Sequence, residues 1–427
     1  MVRSLEIDIR TTWSADDTPV DSPEARRTVH LVSKTTLRVL LGVLATCAIT
    51  AGAIAEVFSR APSGPVLSGV ELQVSAGSYH TCVAIEAAEI LCWGLNNSGQ
   101  LGGGAKSPLG ERKFVAGADE VEYVEVGGEH SCYIRMDRRL FCWGYNGSGQ
   151  IGDGTVKQRW APVRVTGLRD AVTDVSVGRY HTCALGESSL VYCWGRNSHG
   201  QVGDGTQENV VAPKMVGGLG GARDIAAGER HSCALLLDGS IACWGDNSSG
   251  QLGDGTLHSR NTPITVKGVS DAIAVVAGDR HTCALTATRI VLCWGRNSFQ
   301  ELGAGSGGDR NYPSEVPGLG APTALTAGEH HTCALLPTGR ARCWGRHSSG
   351  QLGSGNIDKS LGDVGSSPVE VALDGLVSID AGGVHTCAVT RTGALYCWGY
   401  NTSTQIGDLG TATRPHPVRV DLQATSS

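Results

Sequence analysis

Short apolar and β-branched runs follow one another along most of the chain, for example at residues 263–266 and 273–277. Each run is bounded by glycine, proline, asparagine or aspartate, and neither heptads nor long amphipathic helical patterns lie between the runs. Runs of this length between turn-forming residues are typical of β-strands. The pattern therefore predicts an all-β protein built from many short strands.

These strands belong to a sequence repeat. Histidine followed by Thr or Ser and then by Cys occurs seven times, at intervals of 50 to 54 residues. The seven histidines are His80, His130, His181, His231, His281, His331 and His385. Each copy continues into Cys-Trp-Gly and a glycine-rich turn. About 50 residues supply roughly four short strands, the content of one propeller blade, so we predict a seven-bladed β-propeller.

The two ends of the repeat region predict how the ring closes. A strand of the Pro-Val-Arg-Val type, such as 162–165, precedes most of the repeats, but it is poorly formed before the first. A matching strand at 417–421 follows the seventh repeat and has no eighth repeat to serve. We expect this C-terminal strand to complete the first blade and so to remove an exposed sheet edge.

Fourteen of the 15 cysteines form seven pairs with nine residues between the partners, and Cys47 stands apart. The pairs are Cys82 and Cys92, Cys132 and Cys142, Cys183 and Cys193, Cys233 and Cys243, Cys283 and Cys293, Cys333 and Cys343, and Cys387 and Cys397. A hairpin with a three-residue loop places such partners opposite each other on one face. Gly239, Gly339 and Gly393 stand at the third loop position, which favours a left-handed residue. We therefore predict seven disulfides, each stabilising the fold by up to about 2–3 kcal/mol.

Zinc binding and reduced structural thiols are the alternative roles for these cysteines, because both His and Cys bind zinc. Three such ligands per repeat fall short of a closed tetrahedral site, and the chain has no Cys-x2-Cys pair. We expect disulfides, no metal, no cofactor and no catalytic residue. The repeated histidines are expected to hydrogen-bond within the scaffold, and the repeated tryptophans to pack between blades.

Disulfides require an oxidising compartment, and the N-terminal region carries a matching export signal. An uncharged stretch at 39–55 follows several Lys and Arg residues and ends in an Ala-x-Ala pattern at Ala55. We predict a polar segment at 1–36, disordered or upstream of the true start, a signal peptide or signal-anchor helix at 37–58, and the propeller at 59–427. Three fates of this hydrophobic segment are open from the sequence: retention as an anchor with the N-terminus inside, cleavage near Ala55, or lipidation at Cys47.

Charge then limits the partners. The formal net charge is −6, and residues 1–60 contain equal numbers of acidic and basic side chains, so the negative charge belongs to the propeller. A nucleic-acid-binding protein needs a basic face, and none is evident. We therefore expect no nucleic-acid partner, and contact with a membrane only through the N-terminal segment.

The repeat, written His-Thr-Cys-Ala-Leu, Cys-Trp-Gly-x-Asn and Gly-Gln-Leu-Gly-Asp-Gly-Thr, resembles that of the regulator of chromosome condensation family over residues 66–421. The resemblance implies a seven-bladed propeller. Members of that family include an exchange factor for a small GTPase, a plant ultraviolet-B photoreceptor and a secreted β-lactamase inhibitor. The photoreceptor's Gly-Trp-Arg-His-Thr motif reads Gly-Glu-Arg-His-Ser at 228–232, so its sensing tryptophan is absent here. No functional residue of these proteins carries over to this chain.

Some connections depart from the repeat and are candidate binding loops. The fifth copy reads Phe-Gln-Glu-Leu at 299–302, the sixth is longer than the others, and the connection after the first is atypical. The candidate residues are Lys106, Arg112, Phe299, Glu301, Asp358 and Lys359. These loops follow the same strand in each blade and should lie on one face, although loop variation without function is the alternative.

We expect an exported or membrane-anchored monomeric propeller that binds a partner, first of all a protein, through these loops and has no enzymatic activity. One alternative is guanine-nucleotide exchange on, or other regulation of, a small GTPase, as the family resemblance implies. A third is an enzyme acting on polysaccharide or protein at the centre of the ring, for which the sequence offers no isolated catalytic constellation.

Overall fold

The computed structural model describes residues 72–85, 89–305, 307–355 and 364–423. Over these residues, the chain forms seven antiparallel sheets, each made of four consecutive strands, which confirms the seven-bladed propeller. Within this described part, no helix has the length and apolar character needed to cross a membrane. The predicted segments 1–36 and 37–58, with Cys47 and Ala55, lie outside the described residues.

The four strands of a blade run from the central channel to the rim. The first strands are β1 (Leu72–Ala76), β5 (Val121–Val126), β9 (Val172–Val177), β13 (Ala222–Ala227), β17 (Ala272–Ala277), β21 (Ala324–Ala327) and β25 (Leu376–Ala381). The second strands are β2 (His80–Ile85), β6 (His130–Arg135), β10 (His181–Gly186), β14 (His231–Leu236), β18 (His281–Thr286), β22 (His331–Leu335) and β26 (His385–Thr390). The third strands are β3 (Glu89–Gly94), β7 (Leu140–Gly144), β11 (Val191–Gly195), β15 (Ile241–Gly245), β19 (Val291–Gly295), β23 (Ala341–Arg346) and β27 (Leu395–Gly399). The fourth strands are β4 (Lys113–Phe114), β8 (Arg159–Arg164), β12 (Val210–Met215), β16 (Arg260–Thr265), β20 (Arg310–Glu315), β24 (Val364–Glu370) and β28 (Arg414–Arg419).

The second and third strands of each blade carry the paired cysteines directly opposite each other. In the fourth blade, Cys233 pairs with Cys243 in register, and the hairpin turns through three residues ending at Gly239, whose φ is +84°. All seven predicted disulfides are formed, with Cα atoms 4.0–4.1 Å apart. Seven disulfides point to an oxidising, extracytoplasmic environment.

Each disulfide forms part of the apolar core between one blade and the next. Trp294, for example, packs in one cluster with Cys233 and Cys243 of the preceding blade. The last blade packs against the first in the same way, because Trp93 of the first blade lies in one apolar cluster with Cys387 and Cys397. All seven repeated tryptophans are at most 1% exposed, which confirms that they are core residues. The cysteine pair is therefore both a covalent link within a blade and a surface on which the neighbouring tryptophan packs.

The repeated histidines join the blades around the channel. In every blade the imidazole Nε2 lies 2.7–2.9 Å from the hydroxyl oxygen of a Thr or Ser in the next blade. The pairs are His80–Ser131, His130–Thr182, His181–Ser232, His231–Thr282, His281–Thr332, His331–Thr386 and His385–Thr81. Each hydroxyl donates in turn to the main-chain carbonyl of a Gln or Glu, as Thr182 does to Gln150. The hydroxyl proton is thereby used, so the imidazole Nε2–H must donate to the hydroxyl oxygen.

The prediction that strand 417–421 completes the first blade is wrong. Residues 417–419 of that segment belong to β28, which pairs with β27 in the seventh blade, and the first blade has its own fourth strand, β4. The Pro-Val-Arg-Val strands end blades rather than begin them, because proline cannot donate a ladder hydrogen bond and so favours an edge strand. The ring closes instead through contacts between the last and first blades, such as Ala76 N donating to Asp380 at 2.7 Å and Gly383 N to the Gly77 carbonyl at 2.9 Å.

Candidate functional site

The short loop between the first and second strands of each blade surrounds one end of the central channel. Each loop begins with a glycine that contacts the next blade: a Cβ at Gly278 would lie 2.1 Å from Cε1 of His281 and 2.5 Å from the Gly328 carbonyl oxygen. The residue after this glycine lines the cavity at the channel end in six of the seven blades. The seven residues at this position, called here the mouth ring, are Ser78, Gly128, Arg179, Glu229, Asp279, Glu329 and Gly383, and all but Glu229 line the cavity.

The mouth ring breaks the sevenfold repetition of the fold. Arg179 of the third blade reaches Asp279 of the fifth and Glu329 of the sixth, with nitrogen–oxygen distances of 3.1 and 3.5 Å. The hydroxyl of Ser78 donates to Glu329 at 2.6 Å. Gly383 leaves the necessary room, since a Cβ there would lie 2.7 Å from the Glu329 carboxylate. A polar network therefore spans the channel mouth.

One carboxyl group of this network has a strongly shifted pKa. Burial, and then the charge of Glu329, raise the pKa of Asp279 well above its ordinary value, while Arg179 opposes the shift. Glu229 is paired with Arg230 and Arg280 at 3.1 and 3.3 Å. Groups with strongly shifted pKa values collect at functional sites, so the mouth ring is a candidate site.

Phe299 and Glu301, two of the predicted binding-loop residues, lie beside this mouth. Glu301 is fully buried, accepts a hydrogen bond from Phe299 N at 2.8 Å, and has its second oxygen 3.9 Å from Nε of Arg296. Burial raises the pKa of Glu301 to about 7. The Phe299 ring lies 5.0 Å from that of His330, and burial lowers the pKa of His330 to about 4. The departure in the fifth repeat thus adds to the charged cluster at the mouth.

The other predicted loop residues are not brought to this cluster. The Arg112 guanidinium donates to the main-chain carbonyls of Gly407 and Asp421 and lies 5.8 Å from the ring of Trp93, so it joins the first blade to the seventh. Lys106 is exposed in the connection after β3. Asp358 and Lys359 lie outside the described residues.

Sequence reasoning missed most of the mouth ring, although a signal was present. The residues between the repeated glycine and the repeated histidine differ in every copy, from Ser-Tyr at 78–79 to Gly-Val at 383–384.

Asp279, Glu329 and His330 come close enough that one ligand atom from each lies within 4.8 Å of the others, a set of residue types that binds divalent cations. Arg179 already pairs with both carboxylates of this set.

Residues 110–427 match the model of the RCC1-like domain, and residues 72–100 match that of the regulator of chromosome condensation (RCC1) repeat. The chain belongs to the RCC1-like domain family. Among solved structures, this RCC1-like propeller is similar to yeast RCC1 (Prp20), with a TM-score of 0.70 and 20% identity over 84% of this chain and 85% of that one. It is also similar to human WBSCR16, with a TM-score of 0.67 and 23% identity over 76% and 87% of the two chains. Identities this low show a shared fold.

The curated relatives are much longer proteins. The RCC1-like propeller is 33% identical over 150 residues to the human probable E3 ubiquitin-protein ligase HERC6, which is 35% of this chain and 10% of the relative. It is 32% identical over 159 residues to human HERC3, also a probable E3 ubiquitin-protein ligase, which is 36% and 15% of the two chains. The chain thus matches only a small part of each relative.

Proposed function

We propose that this protein is an exported or membrane-anchored RCC1-like propeller that binds a protein partner through the face carrying the mouth ring. This face, called here the mouth face, also holds the connections from the third to the fourth strands, because the strands of each blade alternate in direction. The observation that carries the proposal is the divergence of the mouth ring within an otherwise regular scaffold. Histidine, cysteine and tryptophan recur in all seven blades, whereas Arg179, Glu229 and Gly383 occupy equivalent positions.

The composition of the mouth face supports a protein partner. Tyr79, Tyr145 and Tyr400 stand on the first, second and seventh blades, and all three are half-buried. Arginines occupy the positions corresponding to Tyr145 and Tyr400 on the third, fifth and sixth blades. Tyrosine and arginine are enriched at protein interfaces, where they supply most of the binding energy. These three tyrosines on the seventh, first and second blades and the three arginines on the third, fifth and sixth make the two halves of the face different, which suits one defined partner orientation.

Structural neighbours of the propeller also bind proteins. Yeast RCC1 is seen bound to Kap60, and Prp20p is described with its binding properties to Gsp1p and histones. We propose the same general role here with a different partner, since seven disulfides favour an extracytoplasmic location over that of a small GTPase regulator. The proposal includes no catalytic step, because the mouth carboxylates Asp279 and Glu329 are paired with Arg179.

The location is tested by the intact mass of the protein recovered from cell fractions, with and without reduction before thiol alkylation. Seven disulfides predict that reduction adds about 14 hydrogens and so opens about 14 further thiols to alkylation, in protein from the envelope or the medium. The same mass shows whether the residues before Glu56 are removed. Free thiols in a cytoplasmic fraction would contradict export.

The binding face is tested by placing a photo-crosslinking amino acid at single positions of the full chain in its own cells. Tyr145 and Tyr400 report on the mouth face, whereas Leu190 and Leu237, exposed at hairpin tips between second and third strands, report on the opposite face. We expect a discrete cross-linked protein from the two tyrosine positions and none from the two leucines. Cross-links from the hairpin tips alone, or from neither face, would overturn the proposal.

A further inference from the structure

Three arginines on the mouth face are held in the same way. Arg196, Arg296 and Arg346 each follow the repeated Trp-Gly, on the third, fifth and sixth blades. In each of them Nε donates to the serine hydroxyl two residues later, at Ser198, Ser298 and Ser348, over 2.8–3.1 Å. We call these residues the outer arginines. The Nε atom of each outer arginine is therefore already hydrogen-bonded within the protein.

Aromatic rings fix the outer arginines further. The Arg196 guanidinium lies 5.4 Å from the centre of the Tyr180 ring. The guanidinium groups of Arg296 and Arg346 lie 5.2 and 5.1 Å from the ring of Phe299, so one aromatic side chain supports two cations from adjacent blades. Cation–π contacts of this kind contribute roughly 0.5–1 kcal/mol each at exposed sites. Phe299 therefore orients the two guanidinium groups before any partner binds.

The terminal nitrogens of the outer arginines have no hydrogen-bond partner among the residues that the structure describes. The acids of the mouth ring are paired elsewhere, Asp279 and Glu329 with Arg179, and Glu229 with Arg230 and Arg280. A guanidinium with a free terminal edge binds a carboxylate through two parallel hydrogen bonds. A group that is already oriented loses less conformational freedom on binding, which raises affinity.

We propose that the mouth face recognises an acidic protein segment, whose Asp or Glu carboxylates bind the terminal nitrogens of Arg296 and Arg346 across Phe299, with Arg196 as a further contact. This inference rests on the proposed function and adds the chemistry of the partner. Phosphate groups would meet the same guanidinium edges, so phosphatidylglycerol vesicles are included in the experiment to distinguish the two sources of negative charge. The tyrosines of the first, second and seventh blades supply apolar contact for the rest of such a segment.

The probe is a fluorescein-labelled decaglutamate peptide, measured by fluorescence anisotropy with the full-length oxidised protein at low salt. We expect binding that the double variant Arg296→Gln/Arg346→Gln weakens at least tenfold, and no binding of decalysine. The matched control is Arg164→Gln/Arg419→Gln, which removes two exposed arginines of fourth strands and the same charge, and leaves binding within about twofold. Unfolding midpoints of both double variants are compared, so that loss of the fold is recognised.

Phe299→Leu separates orientation from charge, because it keeps both arginines and removes the ring between them. We expect a three- to fivefold loss of decaglutamate binding. Equal binding by the mouth and control double variants would overturn the proposal, as would no decaglutamate binding by the wild type. Phosphatidylglycerol vesicles that bind through Arg296 and Arg346 in preference to the peptide would assign the face to phosphate and also overturn it.

Failure of this inference can be told apart from failure of the proposed function. The cross-linker at Tyr145 is repeated in the Arg296→Gln/Arg346→Gln background. If the wild type does not bind decaglutamate while the partner still cross-links at Tyr145 in the double variant, the mouth face remains the binding surface and recognition of acidic side chains is rejected. If the wild type shows both the cross-link and decaglutamate binding, and the double variant loses both, then both proposals are supported.

Discussion

The imidazole Nε2 of His385 lies 2.7 Å from the hydroxyl oxygen of Thr81, although 304 residues separate them in the chain. The last blade is therefore joined to the first by the contact that joins every other pair of blades. Over the described residues, each of the two blades is built from its own four consecutive strands. Closure depends on side chains and on a few main-chain hydrogen bonds, and it can be tested with single substitutions.

Thr81→Val should weaken this closing contact. The change keeps the volume but removes both the acceptor for His385 and the donor to the Gln405 carbonyl, which lies 2.8 Å away. A buried imidazole N–H left without a partner costs about 1–3 kcal/mol, and we expect the free energy of unfolding to fall by that amount in urea. Thr182→Val, at an internal contact of the same type, is the control and should lose no more than Thr81→Val. A loss below about 0.5 kcal/mol would show that the contact does not hold the ring closed.

The histidine ring makes the protein sensitive to acid. Burial lowers the pKa from 6.5 to about 3 in six of the histidines, as in His80, and to about 4 in His231. Between pH 6.5 and these values the unfolded chain binds more protons than the folded one. The free energy of unfolding should therefore fall as the pH falls, by about 1.4 kcal/mol per pH unit for each histidine. Urea unfolding of the oxidised protein at about pH 7, 6 and 5 checks this, and equal stability at all three would contradict it.

Ser189→Gly should stabilise the third blade. Ser189 stands at the hairpin position of Gly239 and has a φ of +62°. Serine is strained in this left-handed conformation and glycine is not, which raises the free energy of unfolding by about 1–2 kcal/mol. The greater freedom of glycine in the unfolded chain lowers it again by about 0.4–1 kcal/mol. We expect a net gain of roughly 0.5–1 kcal/mol in thermal or urea unfolding. The converse change, Gly239→Ser, should destabilise, because a Cβ there would lie 2.7 Å from the Ser270 carbonyl oxygen. Changes of the same sign in both variants would rule out this explanation.

Glu301→Gln should stabilise the protein at neutral and alkaline pH. Six of the seven repeats have glutamine at this position. The pKa of Glu301 is raised from 4.5 to about 7, so its carboxylate destabilises the folded state above pH 4.5 and does so fully above pH 7. We expect a gain of roughly 2–3 kcal/mol near pH 8 that shrinks below about 1 kcal/mol near pH 5. Unfolding of both proteins at the two pH values measures it, with Gln351→Glu as the converse change. A gain independent of pH would exclude the carboxylate as its cause.

Much of the blade could be predicted from the sequence, because its determinants are local. The spacing of Cys233 and Cys243 and the glycine at 239 define a hairpin of known loop length, and side chains alternate along a strand. The order of strands within a blade was predicted less well. The proline strands were recognised, but they were placed at the start of a blade rather than at its rim. Proline at 162 and 263 carries the missing information, because it marks an edge strand.

The candidate site was only partly predictable. Phe299 and Glu301 were found because they break the repeat at a turn, whereas Arg112 also lies in an atypical connection and serves the scaffold. Nothing local distinguishes Arg112 from a binding residue, since its partners Gly407 and Asp421 lie about 300 residues further along the chain. Asp279 and Glu329 stand in different repeats, and only the curvature of the ring brings both of them to Arg179.

The number of blades, the seven disulfides and the buried tryptophans all follow from the amino-acid sequence alone. These features arise within about 50 residues, from strand periodicity, turn residues and cysteine spacing. The strand that ends a blade, the contacts between the last blade and the first, and the side chains that share the channel mouth became evident only from the folded ring. The physical reason is that contacts between blades depend on the position of whole sheets, and a charge such as Arg179 acquires its partners only when the ring has closed.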